Sequence, residues 1–241
     1  MLCKCASKLE AEILTSHRKC LDQASTVMDL DRCQNFRRVS SCSKERKDAL
    51  PPHHKTTQVN RSIPPTAKYV HQRLAEVIPP NAIIFDESPS SEKYERLILT
   101  EPKSHFSTAS GGLGFAMPAA VGAAIAQIQR PVICIVGDGS AQYSIQSLWS
   151  AAIYHAVVTF IVLNNNEYGI LKSFGMMLHE EGLPGLDIPG IDFGGLARGY
   201  GIDFSRIIDP DQIIPIVQNA VRSGKTSLVE IPIDPHVDPL L

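Results

Sequence analysis

Two polar clusters in this 241-residue sequence combine residue types suited to holding an anion and a divalent cation together. The first, Gly137-Asp138-Gly139-Ser140, follows the β-branched apolar run Val132 to Val136. The second, Asn164-Asn165-Asn166-Glu167-Tyr168-Gly169, follows the apolar run Val157 to Leu163. The Asp138 carboxylate and the Asn165 amide oxygen are hard ligands of the kind magnesium takes in an octahedral shell. A backbone carbonyl and the oxygens of a diphosphate would complete that shell. Glycines on both sides of Asp138 permit a sharp turn and a close approach of backbone to a bulky anion. The helix expected next presents unpaired amides and the positive end of its dipole. Alone, GDG is a common turn and Asn-Asn a common loop; their place after two buried strands is what makes them informative.

For the clusters to meet, both strands must emerge on the same edge of one sheet, and the rest of the pattern supplies such a sheet. Tyr69, Val70, Leu74 and Val77 recur at helical spacing, and Ala82 to Phe85 form a strand-like apolar run. A helix is expected from Leu113 to Gln127, where small residues permit close packing, then a buried strand at Val132 to Val136. Ser144 to His155 reads as a helix and Val157 to Leu163 as another buried strand. Helices near Tyr168 to Leu178, Phe193 to Tyr200 and Pro210 to Arg222 flank strands at Ile202 to Arg206 and Leu228 to Ile233. The expected class is α/β, a doubly wound and mostly parallel sheet with helices on both faces. In such sheets ligands sit at the carboxyl ends of the strands.

Composition separates a leader from this body. Residues 1–65 hold 12 Lys and Arg against 7 Asp and Glu, whereas residues 66–241 hold 11 against 18. Five of the six cysteines, Cys3, Cys5, Cys20, Cys33 and Cys42, fall in the leader, which fits no zinc-ligand spacing. Its Ser, Lys, Arg and Pro content, with little apolar periodicity, gives it too little to bury against its ordering entropy, so 1–65 is expected to be a disordered or irregular leader or linker. The histidines His17, His53, His54 and His71 are expected to be solvated surface residues. Cys134, inside an apolar run, is expected to behave as a small hydrophobe. The net charge of −2 creates no field that would recruit nucleic acid or an anionic membrane. No apolar run reaches the ~20 residues of a bilayer span, and no secretory h-region is present, so the expected location is cytoplasmic.

The order GDG, some two dozen residues, then NN resembles the cofactor-binding motif of thiamine diphosphate (ThDP)-dependent enzymes. The resemblance implies that Asp138 and Asn165 are the metal-binding side chains for Mg2+ and that Glu167 adds a backbone carbonyl. It also implies that Gly139 and Ser140 contact the diphosphate, with Tyr168 beside them. Ser110-Gly111-Gly112-Leu113-Gly114-Phe115 resembles the family segment in which a glycine carbonyl, here Gly111, holds the aminopyrimidine. An apolar side chain, here Leu113, bends the cofactor into a V, bringing its 4′-imino group to the thiazolium C2 proton. Without the GDG context the same stretch is a glycine-rich helix start.

Within that family the sequence is similar to the benzoylformate decarboxylase branch, through GGLGFAMPAAVG, GDGSAQYSIQSLW, NNNEYGILKSF and LPGLDIPGIDFGGLARGYGI. Asp86 to Ser91 resembles the branch's segment after a strand, making Ser90 a diphosphate contact, and Ile170 and Phe174 fall where the branch lines its substrate pocket. Read without the resemblance, the serines are an ordinary helix cap and Phe174 a core aromatic.

The resemblance covers residues 66–241, as a diphosphate-binding domain. Family members carry a pyrimidine-binding and a middle domain ahead of it, and no residue in 1–65 matches the acid–base groups of those domains. The expectation is therefore a domain without catalytic residues of its own, completed by a pyrimidine-domain subunit or a homologous full-length chain acting on a 2-oxo acid. Two alternatives stand beside it. One is a non-catalytic ThDP-binding module. The other is a fragment of an acetolactate synthase-like or 2-hydroxyacyl-CoA lyase-like enzyme, against which the Leu183 to Phe193 segment argues. A dinucleotide site is disfavoured because the glycines after Val136 do not follow G-x-G-x-x-G.

Overall fold

Side chains on each strand alternate between two faces, and in the central strands both faces are apolar. In the computed structural model β1 is Ile83–Glu87, β2 His105–Ser107, β3 Val132–Gly137, β4 Val158–Asn164, β5 Asp203–Arg206 and β6 Ser227–Pro232. They form one sheet in the order β2-β1-β3-β4-β6-β5, with every pairing parallel. The helices are α1 Ala67–Val77, α2 Ala116–Ala126, α3 Asp138–Gln142, α4 Ser147–Ile153, α5 Gly169–Met177, α6 Phe193–Gly199 and α7 Ile213–Arg222. The structure describes residues 62–91, 97–108, 111–126, 129–180 and 182–236, all within the unit Gln58–Leu241.

The period of two in the strands sorts the core into two layers. Cys134, Val136, Phe160 and Val162 face one way and pack with Met117 and Ala120 of α2, Leu148 of α4 and Phe193 of α6. Ile133, Ile135, Ile161 and Leu163 face the other way and pack with Val70 and Leu74 of α1 and Ile213 and Val217 of α7. Ile133, Ile135 and Ile161 are fully buried, each worth roughly 1.5–3 kcal/mol relative to exposure. Cys134 lies in this core as expected. Burial pushes its thiol well above the usual range, and the carboxylates of Asp86 and Glu87 add to the effect.

The α/β class and two-sided cover agree with the sequence reading, and the sheet is wholly parallel. Four details differ. The edge strand β2 was not anticipated, since three residues are too few to show a period. Helix α2 starts at Ala116 rather than Leu113, because Gly114 has φ +96, outside the helical region. The helix expected from Ser144 begins at Ser147, whereas the short α3 continues directly from Asp138. His71 is not a solvated residue: it is 1% exposed, on the buried side of α1 with Val70 and Leu74.

The leader expected at 1–65 lies outside the described residues except for 62–65, as do Ser110 and Gln127. Thr66 caps α1 by accepting from Tyr69 N at 3.3 Å. No helix of the described residues is long and apolar enough to cross a membrane.

Candidate active site

Parallel pairing sets Gly137 at the end of β3 beside Leu163 near the end of β4, so the two polar clusters open on the same edge of the sheet. A small open cleft lies there. Asp138, Gly139, Ser140, Asn165, Glu167 and Tyr168 line it, and so do Ser90, Leu113 and Ile170 from neighbouring segments. Gly111 and Phe174 do not line it. Gly111 is exposed at φ +71, two positions before Leu113, and Phe174 is 43% exposed on α5, one turn past Ile170.

The centre of the cleft is a convergence of oxygens. Asp138 is 2% exposed; its Oδ1 accepts from Gly139 N at 2.9 Å, and its Oδ2 is buried with no hydrogen-bond partner among the described residues. Burial pushes the Asp138 carboxyl up to about 6, against the opposing pull of backbone amides at Gly139 and Asn166. One terminal atom of the Asn165 amide lies 3.0 Å from Asp138 Oδ1 and 2.9 Å from the Glu167 carbonyl oxygen. With nitrogen in that position the amide makes two hydrogen bonds. With oxygen there, its separations from the other two oxygens match that of adjacent octahedral ligands, about 2.9 Å for Mg–O bonds of 2.0–2.1 Å.

This donor set and the orphaned Asp138 oxygen fit a divalent cation whose remaining ligands come from a bound anion. Among the described residues no group of three His, Cys, Asp or Glu side chains could hold a metal. An ion held here would therefore share one carboxylate with amide and carbonyl oxygens.

The glycines beside Asp138 do not serve the sharp turn expected of them. Gly137 has φ −70, and Gly139 is not among the residues of positive φ, so any residue could adopt either backbone. What Gly139 provides is space: a Cβ on it would lie 2.6 Å from Tyr168 Cε1 and 3.2 Å from Ile188 Cδ1.

Sequence reasoning left two features without a role. A strap, residues 182–190, is hydrogen-bonded to the loop after β4: Tyr168 N donates to Leu186 O and Ile188 N to Asn166 O, each at 2.8 Å. The Lys172 ammonium pins it by pairing with Asp187 at 2.7 Å and with the Glu167 carboxylate. Glu87, the last residue of β1, accepts from Gly114 N and Ala116 N, each at 2.6 Å, which ties the Leu113 segment to the sheet edge. Strand-end carboxylates commonly face solvent, so only the coordinates single these out.

The family model for the thiamine pyrophosphate enzyme C-terminal TPP-binding domain matches residues 92–231. The chain belongs to the thiamine pyrophosphate enzymes. The matched domain binds thiamine pyrophosphate, the compound also called ThDP. Over 156 residues the chain is 44% identical to benzoylformate decarboxylase of Pseudomonas aeruginosa, covering 64% of this chain and 30% of that one. Over 178 residues it is 30% identical to the acetolactate synthase large subunit of Parasynechococcus marenigrum, covering 70% of this chain and 29% of that one. Among solved structures, a ThDP-dependent 4-hydroxybenzoylformate decarboxylase of Rhodococcus jostii superposes with a TM-score of 0.72 at 36% identity. That match covers 77% of this chain and 36% of that one. The chain thus spans about a third of the length of the family members it matches.

Proposed function

We propose that the cleft binds ThDP through a divalent cation, Mg2+, held by Asp138, Asn165 and the Glu167 carbonyl, with Gly139, Ser140, Tyr168 and Ser90 against the diphosphate. The observation that carries this reading is the convergence of the Asp138, Asn165 and Glu167 oxygens beside a carboxylate oxygen that has no partner among the described residues. The buried Asp138 carboxylate supplies charge for the cation, and the spacing of the amide and carbonyl oxygens fixes where the ion sits. Gly139 lets the Tyr168 ring close over one side, and Leu113 and Gly111 approach the pyrimidine end.

We infer further that the domain serves a 2-oxo acid decarboxylase of the benzoylformate class, with Ile170 and Phe174 toward the substrate. When bound, the cofactor supplies the carbon nucleophile on which cleavage of a 2-oxo acid depends. The ionisable side chains lining the cleft, Asp138, Glu167 and Tyr168, are all engaged in the cation site or its walls. Proton transfer to substrate therefore falls to groups from a pyrimidine-binding partner. An apolar surface supports such a partner: Tyr143, Trp149, Ile153 and Tyr154 are each more than half exposed on and around α4.

Calorimetric titration with ThDP tests the cofactor reading: binding is expected with Mg2+ and lost when EDTA removes it, and equal binding in both conditions would overturn the cation site. For the substrate class, adding a pyrimidine-domain polypeptide should restore turnover of benzoylformate; activity on pyruvate instead would favour the acetolactate synthase-like reading.

A further inference from the structure

We propose that Glu87 is a positioning residue for the pyrimidine end of the cofactor, acting through the Gly111–Phe115 loop; this rests on the ThDP reading above. Glu87 is 2% exposed. Its two carboxylate oxygens each accept a backbone N–H, from Gly114 and from Ala116, both at 2.6 Å and from 27 and 29 residues further along the chain. A buried carboxylate is costly unless it is well bonded, and charge-assisted bonds of this length are among the stronger ones a backbone amide makes.

Apart from Thr108 Oγ1, which donates to Gly112 O at 3.2 Å, the loop has little else to hold it. Gly111 and Gly114 lie at φ +71 and +96, and Gly111 and Gly112 are exposed. Leu113, between them, lines the cleft with Asp138. Glu87 pairs in register with Val136, one residue before the strand end that leads into Asp138. A single side chain thus references the loop to the same sheet edge that carries the cation ligands. The Phe85 ring, two residues earlier, meets Phe115 at 6.2 Å between centroids, which anchors the far end of the loop to the same strand. Were the carboxylate only a helix cap for α2, it would need Ala116 alone. The second bond, to Gly114, reaches back into the loop and fixes the height of Leu113.

The test uses the full chain and two probes, Mg2+ with ThDP and Mg2+ with inorganic pyrophosphate, titrated into the parent and into Glu87→Gln. The isosteric amide keeps one acceptor and turns a donor toward the other N–H. ThDP affinity is expected to fall about tenfold or more, the scale of one charge-assisted hydrogen bond, whereas pyrophosphate affinity changes less than about twofold. Equal loss for both probes, or loss for neither, overturns the proposal while leaving the cation site intact. If the parent binds neither probe, the ThDP reading fails and this inference falls with it. Should Glu87→Gln not fold, amide exchange in the parent decides: ThDP should slow exchange at Gly114 and Ala116 where pyrophosphate does not, and an identical response to both refutes the proposal.

Discussion

Glu230 on β6 and Asn164 on β4 are joined across the sheet by a buried hydrogen bond, Asn164 Nδ2 donating to Glu230 Oε1 at 2.8 Å. The other end of that amide, Asn164 Oδ1, accepts from Asn166 N at 3.0 Å, and Asn166 sits at φ +60. One side chain therefore fixes the turn that carries Asn165, and Glu230, 1% exposed, fixes that side chain. Asn165, the proposed cation ligand, is thus held at two removes by a residue on the neighbouring strand.

Glu230→Leu should expose this dependence. It leaves a buried amide donor without an acceptor, a loss of about 1–3 kcal/mol, or roughly 2–4 °C in Tm for each kcal/mol in a domain of this size. Mg2+-dependent ThDP binding should weaken as well, because Asn165 loses its reference. Glu230→Gln retains an acceptor and should stay within about 1 kcal/mol of the parent. Thermal melts of the two variants check the assignment, and equal destabilisation would show that charge, not the acceptor, matters.

Asp138→Asn should separate stability from binding. A carboxyl raised from 3.8 to about 6 in the folded chain makes the native state bind more protons than the unfolded state between those values. Stability from this group is therefore greatest below pH ~4, falls as pH rises to about 6, and is flat above. At neutral pH the buried carboxylate costs on the order of 3 kcal/mol. The asparagine variant should be more stable than the parent at pH 7 without ligand, with the difference vanishing near pH 4. It should lose ThDP binding at every pH. Denaturant titrations at several pH values give the first result and calorimetry the second.

Gly139→Ala tests whether space, not backbone freedom, is what the glycine provides. The added methyl would meet the Tyr168 ring at 2.6 Å, so the ring must swing out, at about 1–3 kcal/mol for overpacking. A Tyr168→Ala change on the same chain should recover part of that loss, giving a coupling energy of about 0.5 kcal/mol or more in a double-mutant cycle. Strictly additive effects would mean that the two residues do not meet in solution.

The sheet was legible because its strands are long apolar runs: Val132 to Val136 and Val157 to Leu163 have little room for another reading, and their order dictates that Asp138 and Asn165 share an edge. That Asn165 and Glu167 would come to lie beside Asp138 was legible through their spacing from GDG. Other features were not, for physical reasons. A three-residue strand such as β2 carries no period. The purpose of Gly139 depends on a ring 29 positions away. Glu87 and Glu230 act through backbone and amide groups brought near only by the fold. His71 looked polar by type, yet its position three residues before Leu74 on α1 places it on the buried face.

Lys172→Met should loosen the strap bonded to the loop after β4. The ammonium bridges Asp187, which is mostly exposed, and Glu167, whose side chain is 9% exposed. Removing it leaves the Glu167 carboxylate half of a broken pair in a largely buried place. The Lys172 amine is raised above 10.5 by Asp187 first and Glu167 second. A raised amine contributes its stability fully below that ordinary value and loses it only as pH climbs beyond, so the bridge should be indifferent to pH between 6 and 9. It should respond to salt, because the lysine is one-third exposed. Chymotrypsin cleavage within 182–188 is expected to accelerate severalfold in Lys172→Met, and to accelerate in the parent when sodium chloride is raised to about 1 M. The backbone bonds at Leu186 and Ile188 would remain in both cases. If cleavage is unchanged in the variant and insensitive to salt, those backbone bonds alone hold the strap, and the lysine serves only to screen Glu167.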